Sequence, residues 1–363
     1  MKIGILTLPL HTNYGGILQA WALQTVLERM GNQVEVFGLK EESAIRPILW
    51  SKRLVLKILG RYKGPCCIEY IKKSNGVNLK RFVADNIHTR EIKGLNFLCS
   101  EEYDLIIVGS DQIWRKDYIR GLWKCTDYSD AFLNLEALQI PRISYAASFG
   151  LGDWQFDKET TRKIKKALDS YIAISVRENS AKEELWDQLN LEVQNVIDPT
   201  LLLNSSLYIN KFDIDTNKKS NNLVSYILDD CSEKREIIEI LCSKNKLKNK
   251  ELNRDILKDK KIPVKDWLTS IANAEIIVTD SYHGCIFSII FRKRLVFIKN
   301  MSRGNTRFDT LIDWFGIDNN CVSSKEDLLN KDFALPTDID VRLDKLMKES
   351  MSFLNNSIAK IKE

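Results

Sequence analysis

Residues 1–37 read MKIGILTLPLHTNYGGILQAWALQTVLERMGNQVEVF, and the changes of rhythm in that stretch set the fold class. The run IGILTL at 3–8 is short and apolar, as a buried strand is. A polar loop with two glycines follows, His11-Thr12-Asn13-Tyr14-Gly15-Gly16. From about 17 to 30, apolar residues at 20, 23, 27 and 30 recur at helical spacing with more on the flanks, which predicts a largely buried helix. Gly31-Asn32 supplies a C-terminal stop, and VEVF at 34–37 is a second strand. Strand, loop, helix, strand is the building block of parallel α/β sheets.

The alternation repeats along the chain. Strands are predicted at 104–109, 143–148, 172–176, 195–198, 223–228, 275–279 and 295–298. Helices are predicted at 158–168, 180–189, 233–244, 263–273 and 283–291, with a long terminal helix at 338–361. Residues 40–102 read as mostly helical and poorly punctuated. A polar stretch rich in Asn, Lys, Asp and Ser interrupts the rhythm at 204–222. The expectation is therefore two successive Rossmann-like parallel-sheet domains: 1–203, then 204–337 carrying His283, then a terminal helix at 338–363. A cleft between the domains is the default ligand site.

Bulk properties agree. A chain of 363 residues is too long for one ordinary core, and 44% hydrophobic with 28% charged residues is a globular composition. No run approaches the ~20 apolar residues that span a bilayer, and the N-terminus lacks a signal-peptide layout, so a cytoplasmic protein is expected. The eight cysteines, at 66, 67, 99, 125, 231, 242, 285 and 321, form no CxxC pair, which argues against zinc or redox chemistry. Most of them read as small core residues. The net charge of +5 is uneven: six Lys or Arg and no acid lie between Arg46 and Lys63, interleaved with Trp50 and leucines. Segment 46–63 reads either as a domain-surface helix whose basic side chains snorkel, or as a peripheral contact with the anionic inner membrane face. The tract 244–261 mixes lysines with acids and reads as solvated surface. No nucleic-acid motif is present.

Ligands of open parallel sheets bind beyond the carboxyl ends of the strands. The groups collected there are Asn13, Gly15 and Gly16, then Ser110 and Asp111, then Ser148, then Arg177, then Asp280, Ser281, Tyr282 and His283. Gly15-Gly16 either permits a tight turn or exposes helix N–H groups to an anion. The pattern is not GxGxxG, which argues against a dinucleotide. Asp111 reads equally as a helix cap or as a functional carboxylate. Arg177 leaves a buried strand and needs a carboxylate or phosphate to meet it, with Glu178 and Glu183 as local alternatives to a bound anion. His283, at the start of a helix facing the expected cleft, is the leading acid/base candidate. His11 is a weaker one, and His88 has no assigned role. Arg303 and Arg307 follow the last strand and read as either a phosphate clamp or loop surface.

The blocks HTNYGGILQAWALQTVL, YDLIIVGSDQIW, ISYAASFG, ISVRENSAKEEL, VIDPTLLL, VTDSYHG and RFDTLIDWFGI, in this order, make the sequence resemble the polysaccharide pyruvyl transferase family. The resemblance implies a GT-B-like fold whose C-terminal helix crosses back to the first domain. It also implies transfer of pyruvate from phosphoenolpyruvate to two hydroxyls of a sugar or lipid-linked saccharide, with no metal or other cofactor. By the same likeness, Arg177 and His283 would contact phosphoenolpyruvate; the chemistry also needs a base for the hydroxyl, which Asp111 could be, or His283 after giving up its proton. The alternatives are a nucleotide-sugar-dependent glycosyltransferase on the same fold and a non-catalytic sugar-binding protein.

Overall fold

The computed structural model describes residues 1–10, 13–39, 76–123, 125, 127–217, 220–252, 261–300, 304–328 and 331–362. The basic segment 46–63, Cys66-Cys67, His11 and Arg303 lie outside them.

The first sheet contains β1 (Lys2–Leu6), β2 (Gln33–Leu39), β3 (Thr89–Ile92), β4 (Leu105–Val108) and β5 (Arg142–Ser144), in the order β3-β2-β1-β4-β5. The pair β6 (Ser175–Val176) and β7 (Gln194–Asn195) extends it, because parallel bridges join Ile143 to Ala173 and Ala147 to Val176. The second sheet contains β8 (Asn222–Tyr226), β9 (Lys248–Glu251), β10 (Ile276–Thr279) and β11 (Arg294–Phe297), in the order β11-β10-β8-β9. Every pairing among these strands is parallel.

The helices that position the site are α1 (Tyr14–Arg29), α2 (Val77–Asn86), α3 (Lys116–Trp123), α4 (Lys158–Leu168), α5 (Asn179–Leu189), α6 (Ser205–Phe212), α7 (Ser232–Asn245), α8 (Val264–Ala272), α9 (Tyr282–Ile290), α10 (Thr306–Phe315) and α11 (Ile339–Lys362). Several departures from the sequence reading have local causes. Segment 76–102 carries strand β3 as well as α2, because Thr89–Ile92 pairs with the edge of β2. The polar stretch 204–222 contains α6, an amphipathic helix that buries only Tyr208 and Phe212. Part of the tract at 244–261 is β9, an edge strand whose four residues are all exposed. Of the six described cysteines only Cys285 is fully buried.

The apolar strands distribute their side chains by the two-residue period of a pleat. Ile3, Ile5, Leu105 and Ile107 face one core; Leu6, Ile106 and Val108 face a second on the other side of the first sheet. In the second sheet Ile277 faces the first of these cores, while Ile276 and Val278 face a third. One core thus runs between the two sheets rather than stopping at a domain boundary. Aromatic rings mark the join. Tyr14 of α1 stacks on Trp267 of α8 with centroids 5.2 Å apart and planes 9° apart, and Trp21 of α1 meets Tyr208 of α6 with centroids 5.6 Å apart.

Helix α11 touches both halves. Ser350 Oγ accepts the Ile197 N–H at 3.1 Å, and Phe353 packs on Tyr145 at 6.4 Å, both in the first domain. Asp340 pairs with Arg292 of the second. No helix among the described residues is long and apolar enough to cross a membrane.

Because the shared core is continuous, Trp267→Ala should destabilise the whole chain by about 3–5 kcal/mol. Urea unfolding followed by far-UV dichroism and by fluorescence should show coincident transitions with a lowered midpoint and an unchanged slope. Two separated transitions in the parent protein would mean that each half owns its core.

Candidate active site

The site is built where the carboxyl ends of the first sheet meet the starts of α9 and α10. Helix α1 begins beneath it. Asn13 is the N-cap, with its side chain accepting the Gly15 N–H at 3.0 Å, and it is itself exposed. A methyl on Gly15 would fall 2.0 Å from His283 Nδ1, 2.3 Å from Cγ and 2.6 Å from Cε1. Those near-equal distances mean that the imidazole lies face-on against this glycine. A methyl on Gly16 would come within 3.2 Å of Asp111 Oδ2. The two glycines therefore let a histidine and a carboxylate approach the helix start.

After β4 the chain turns sharply. Gly109 has φ +125, and a side chain there would strike the Tyr145 carbonyl at 2.1 Å. The Ser110 hydroxyl donates to Gln19 Oε1, whose own amide reaches Thr7, so this serine anchors α1. Asp111 adopts φ +64 and bridges to Ala147 rather than capping α3. Ser148, after β5, donates to Glu178 Oε1 at 2.7 Å, alongside the Phe149 and Gly150 N–H groups at 3.0 and 3.2 Å. It fixes Glu178.

Arg177, 1% exposed, is met by carboxylates of the protein itself. Nη1 lies 2.8 Å from Asp198 Oδ2, Nη2 lies 3.4 Å from Asp111 Oδ1, and Nε lies 3.9 Å from Glu178 Oε2. Burial alone would weaken the guanidinium's hold on its proton, but Tyr282, Asp198, Asp111 and Glu178 outweigh it and raise the pKa. Asp198 divides its oxygens. Oδ1 accepts Thr200 N–H at 3.0 Å and Thr200 Oγ at 2.7 Å. Oδ2 takes Arg177 and lies 3.5 Å from His283 Nε2. Burial works against this carboxylate, but His283, Arg177 and Thr200 hold it below the usual range.

On the second-sheet side, Ser281 caps α9 by accepting the Gly284 N–H at 3.4 Å. Asp280 accepts from Leu228 N–H at 2.6 Å, Asp229 N–H at 3.0 Å, Lys234 at 2.8 Å and Asn300 at 3.0 Å, so it ties the strand ends of the second sheet together. The Tyr282 ring carries the Arg177 guanidinium at 4.6 Å and the Arg307 guanidinium at 5.5 Å. Its buried hydroxyl has no hydrogen-bond partner among the described residues, and burial pushes its pKa up. Arg307, on α10, is buried, and burial together with Arg177 lowers its pKa. Two loops bring α10 close: a methyl on Gly304 would strike the Gly150 carbonyl at 1.8 Å, and Asn179 N–H donates to Thr310 at 3.0 Å.

The structure thus gathers Gly15, Gly16, Asp111, Arg177, Tyr282, His283 and Arg307 into one buried cluster spanning both domains. Asn13, Ser110, Ser148, Asp280 and Ser281 stand around it as caps and ties. One member escaped the sequence reading, Asp198, and Glu178 entered it only as a local alternative partner for Arg177. Both follow strands, so the rule that found Arg177 applies to them; Asp198 is the last residue of the strand predicted at 195–198, whereas the observed strand ends at Asn195. The cluster can hold a proton on an imidazole, present a second carboxylate, and offer cationic groups from two directions.

A family model described as polysaccharide pyruvyl transferase matches residues 13–302. Among solved structures, the UDP-GlcNAc 2-epimerase of Methanocaldococcus jannaschii is similar with TM-score 0.51 and 14% identity, over 93% of this chain and 95% of that one. The UDP-N-acetylglucosamine 2-epimerase of Rickettsia bellii gives 0.50 and 12%, over 99% and 98%. At these identities the likeness is one of fold, a GT-B-like pair of parallel sheets. No curated protein matches.

Two outcomes follow from this packing. Gly15→Ala should drive the His283 ring from its place at a cost of about 1–3 kcal/mol, read as a lowered denaturant midpoint. The second concerns acid. Asp198 holds its proton less tightly folded than unfolded, so its stabilisation is present above the unfolded value near ~4 and is lost as pH falls below it. Folded Asp198→Asn should show a flatter decline of stability between about pH 5 and pH 2 than the parent, measured by acid titration of the unfolding midpoint.

Proposed function

Because the chain belongs to the polysaccharide pyruvyl transferase family, we propose that it moves pyruvate from phosphoenolpyruvate onto two hydroxyls of a sugar in a polysaccharide precursor. The observation that carries this reading is the meeting of Arg177 and His283, from different domains, on the single carboxylate of Asp198.

The chemistry needs an acid. His283 gives a proton to the methylene carbon of the enol, which leaves an oxocarbenium-like centre at the adjacent carbon. A sugar hydroxyl attacks that centre and its proton passes to Asp111. The C–O bond to phosphate then breaks, and the departing phosphate takes the proton from Asp111. The second hydroxyl closes the ketal and returns its proton to His283. Atoms and protons balance, and no metal is required.

The donor is an anion, so its charge must be met. Arg177 is already surrounded by Asp198, Asp111 and Glu178, and its first task on this reading is to hold the Asp198 carboxylate in place. Arg307 and the N–H groups at the start of α1 are the groups best placed to receive the donor. A lipid-linked acceptor would give the basic segment 46–63 a role at a membrane surface.

Incubation with phosphoenolpyruvate and a panel of free and lipid-linked sugars, followed by mass spectrometry, should reveal a pyruvyl increment and one phosphate released per ketal. His283→Ala should lower turnover by about 10²–10⁴. Consumption of nucleotide sugars with phosphoenolpyruvate untouched would replace this reading with glycosyl transfer. Sugar binding that survives in His283→Ala, with no phosphate released by the parent, would replace it with a binding protein.

A further inference from the structure

We infer that Asp198 is a positioning residue which fixes the two imidazole nitrogens of His283 in different roles, Nε2 as the held nitrogen and Nδ1 as the one that delivers the proton. The inference rests on the reading of His283 as the acid.

Three observations meet. Nε2 is buried and makes no hydrogen bond among the described residues, and the nearest carboxylate oxygen, Asp198 Oδ2, stands 3.5 Å away, a gap that a small movement closes into a charge-assisted hydrogen bond. The opposite nitrogen, Nδ1, stands over Gly15, and because the ring meets that glycine by its face, the glycine does not occupy the in-plane direction of Nδ1. The carboxylate itself cannot swing. Thr200 holds Oδ1 twice, and Arg177 holds Oδ2 at 2.8 Å. The backbone just before it is clamped as well: Ser350 of α11 accepts the Ile197 N–H at 3.1 Å, and the Tyr145 hydroxyl donates to the Ile197 carbonyl at 3.1 Å. A fully buried, immobile acceptor on one side of a histidine selects the tautomer with its proton on that side. After Nδ1 has given up its proton, Nε2–H remains on Asp198, so the ring stays in register to take a proton back on Nδ1.

Asp198→Asn isolates this role. The amide keeps an oxygen for Thr200 and turns the position facing His283 from acceptor to donor. The full chain carries three histidines, so ¹⁵N-histidine labelling gives a spectrum that His88→Gln and His283→Gln assign. At a pH where the ring is neutral, His283 in the parent should be protonated on Nε2. In Asp198→Asn, shown to be folded by its thermal transition, the signals should move to the Nδ1-protonated or mixed tautomer, and kcat should fall by at least ~100-fold with little change in KM for the donor.

A neutral His283 protonated on Nδ1 in the parent overturns the inference without any variant, so a failure of Asp198→Asn to fold does not rescue it. An Nε2 proton that persists in folded Asp198→Asn overturns it too. The spectrum needs no substrate, which separates the two claims. A correct tautomer with no pyruvyl transfer sinks the functional reading alone. Transfer with the wrong tautomer sinks only the role of Asp198.

Discussion

The arrangement depends on one oxygen. Asp198 Oδ2 accepts from an arginine of the first domain and faces a histidine of the second, with all three side chains out of water. A buried guanidinium without a carboxylate, or the reverse, leaves an uncompensated charge worth about 3–5 kcal/mol. The domains therefore cannot separate at this point without exposing or stranding a charge. The ion pair matters more for where it holds the imidazole than for any net stability, since buried pairs roughly repay their own desolvation.

The rest of the molecule serves that geometry. The core between the sheets is shared, so the strand ends of one domain and the helix starts of the other are held at fixed separation. Glycines sit where the two surfaces touch, under the imidazole at 15 and against the Gly150 carbonyl at 304. Each is a place where a side chain would force the domains apart. Helix α11 then returns to the first domain and holds Ile197, the residue before Asp198, which links the end of the chain to the heart of the site.

Much of this was legible in the sequence, and the limits have physical causes. The central strands were visible because both faces are covered and the runs are apolar throughout, whereas the exposed edge strands β3 and β9 were missed. The positions following them were visible by the same token, which is why Asp111, Arg177 and His283 could be named together. What a side chain does at such a position was not visible. Ser148 and Ser281 lie at the same kind of strand end as Arg177, yet the fold turns them to Glu178 and to the α9 backbone. Arg177 was expected to need an anion, and the protein supplies three of its own, Glu178 next to it in the chain and Asp111 and Asp198 from other strand ends. Gly15 suggested an anion nest or a turn; its steric partner is an imidazole from the other domain, which no local pattern encodes. Helix α10 has no counterpart in the sequence reading, its start being polar and Arg307 reading as phosphate clamp or loop surface; it packs Phe308 on Phe297 of β11 and takes the Asn179 N–H of α5 on Thr310.

The charge distribution separates two tasks that a single arginine was first asked to perform. Unit charges about 4 Å apart interact by ~4 kcal/mol at an effective dielectric near 20. Asp111, Glu178 and Asp198 together therefore absorb the field of Arg177, and an incoming dianion would find little net attraction there. Arg307 reaches the Tyr282 ring from α10, on the second domain, and its lowered pKa records that burial and Arg177 oppose its charge. An anion arriving beside it would relieve both. On the proposed reading the cations divide accordingly: the inner one holds Asp198 and so keeps the imidazole in register, and the outer one meets the donor. A single shared arginine would have to release Asp198 to bind substrate, and would lose the proton donor's position at the moment it was needed.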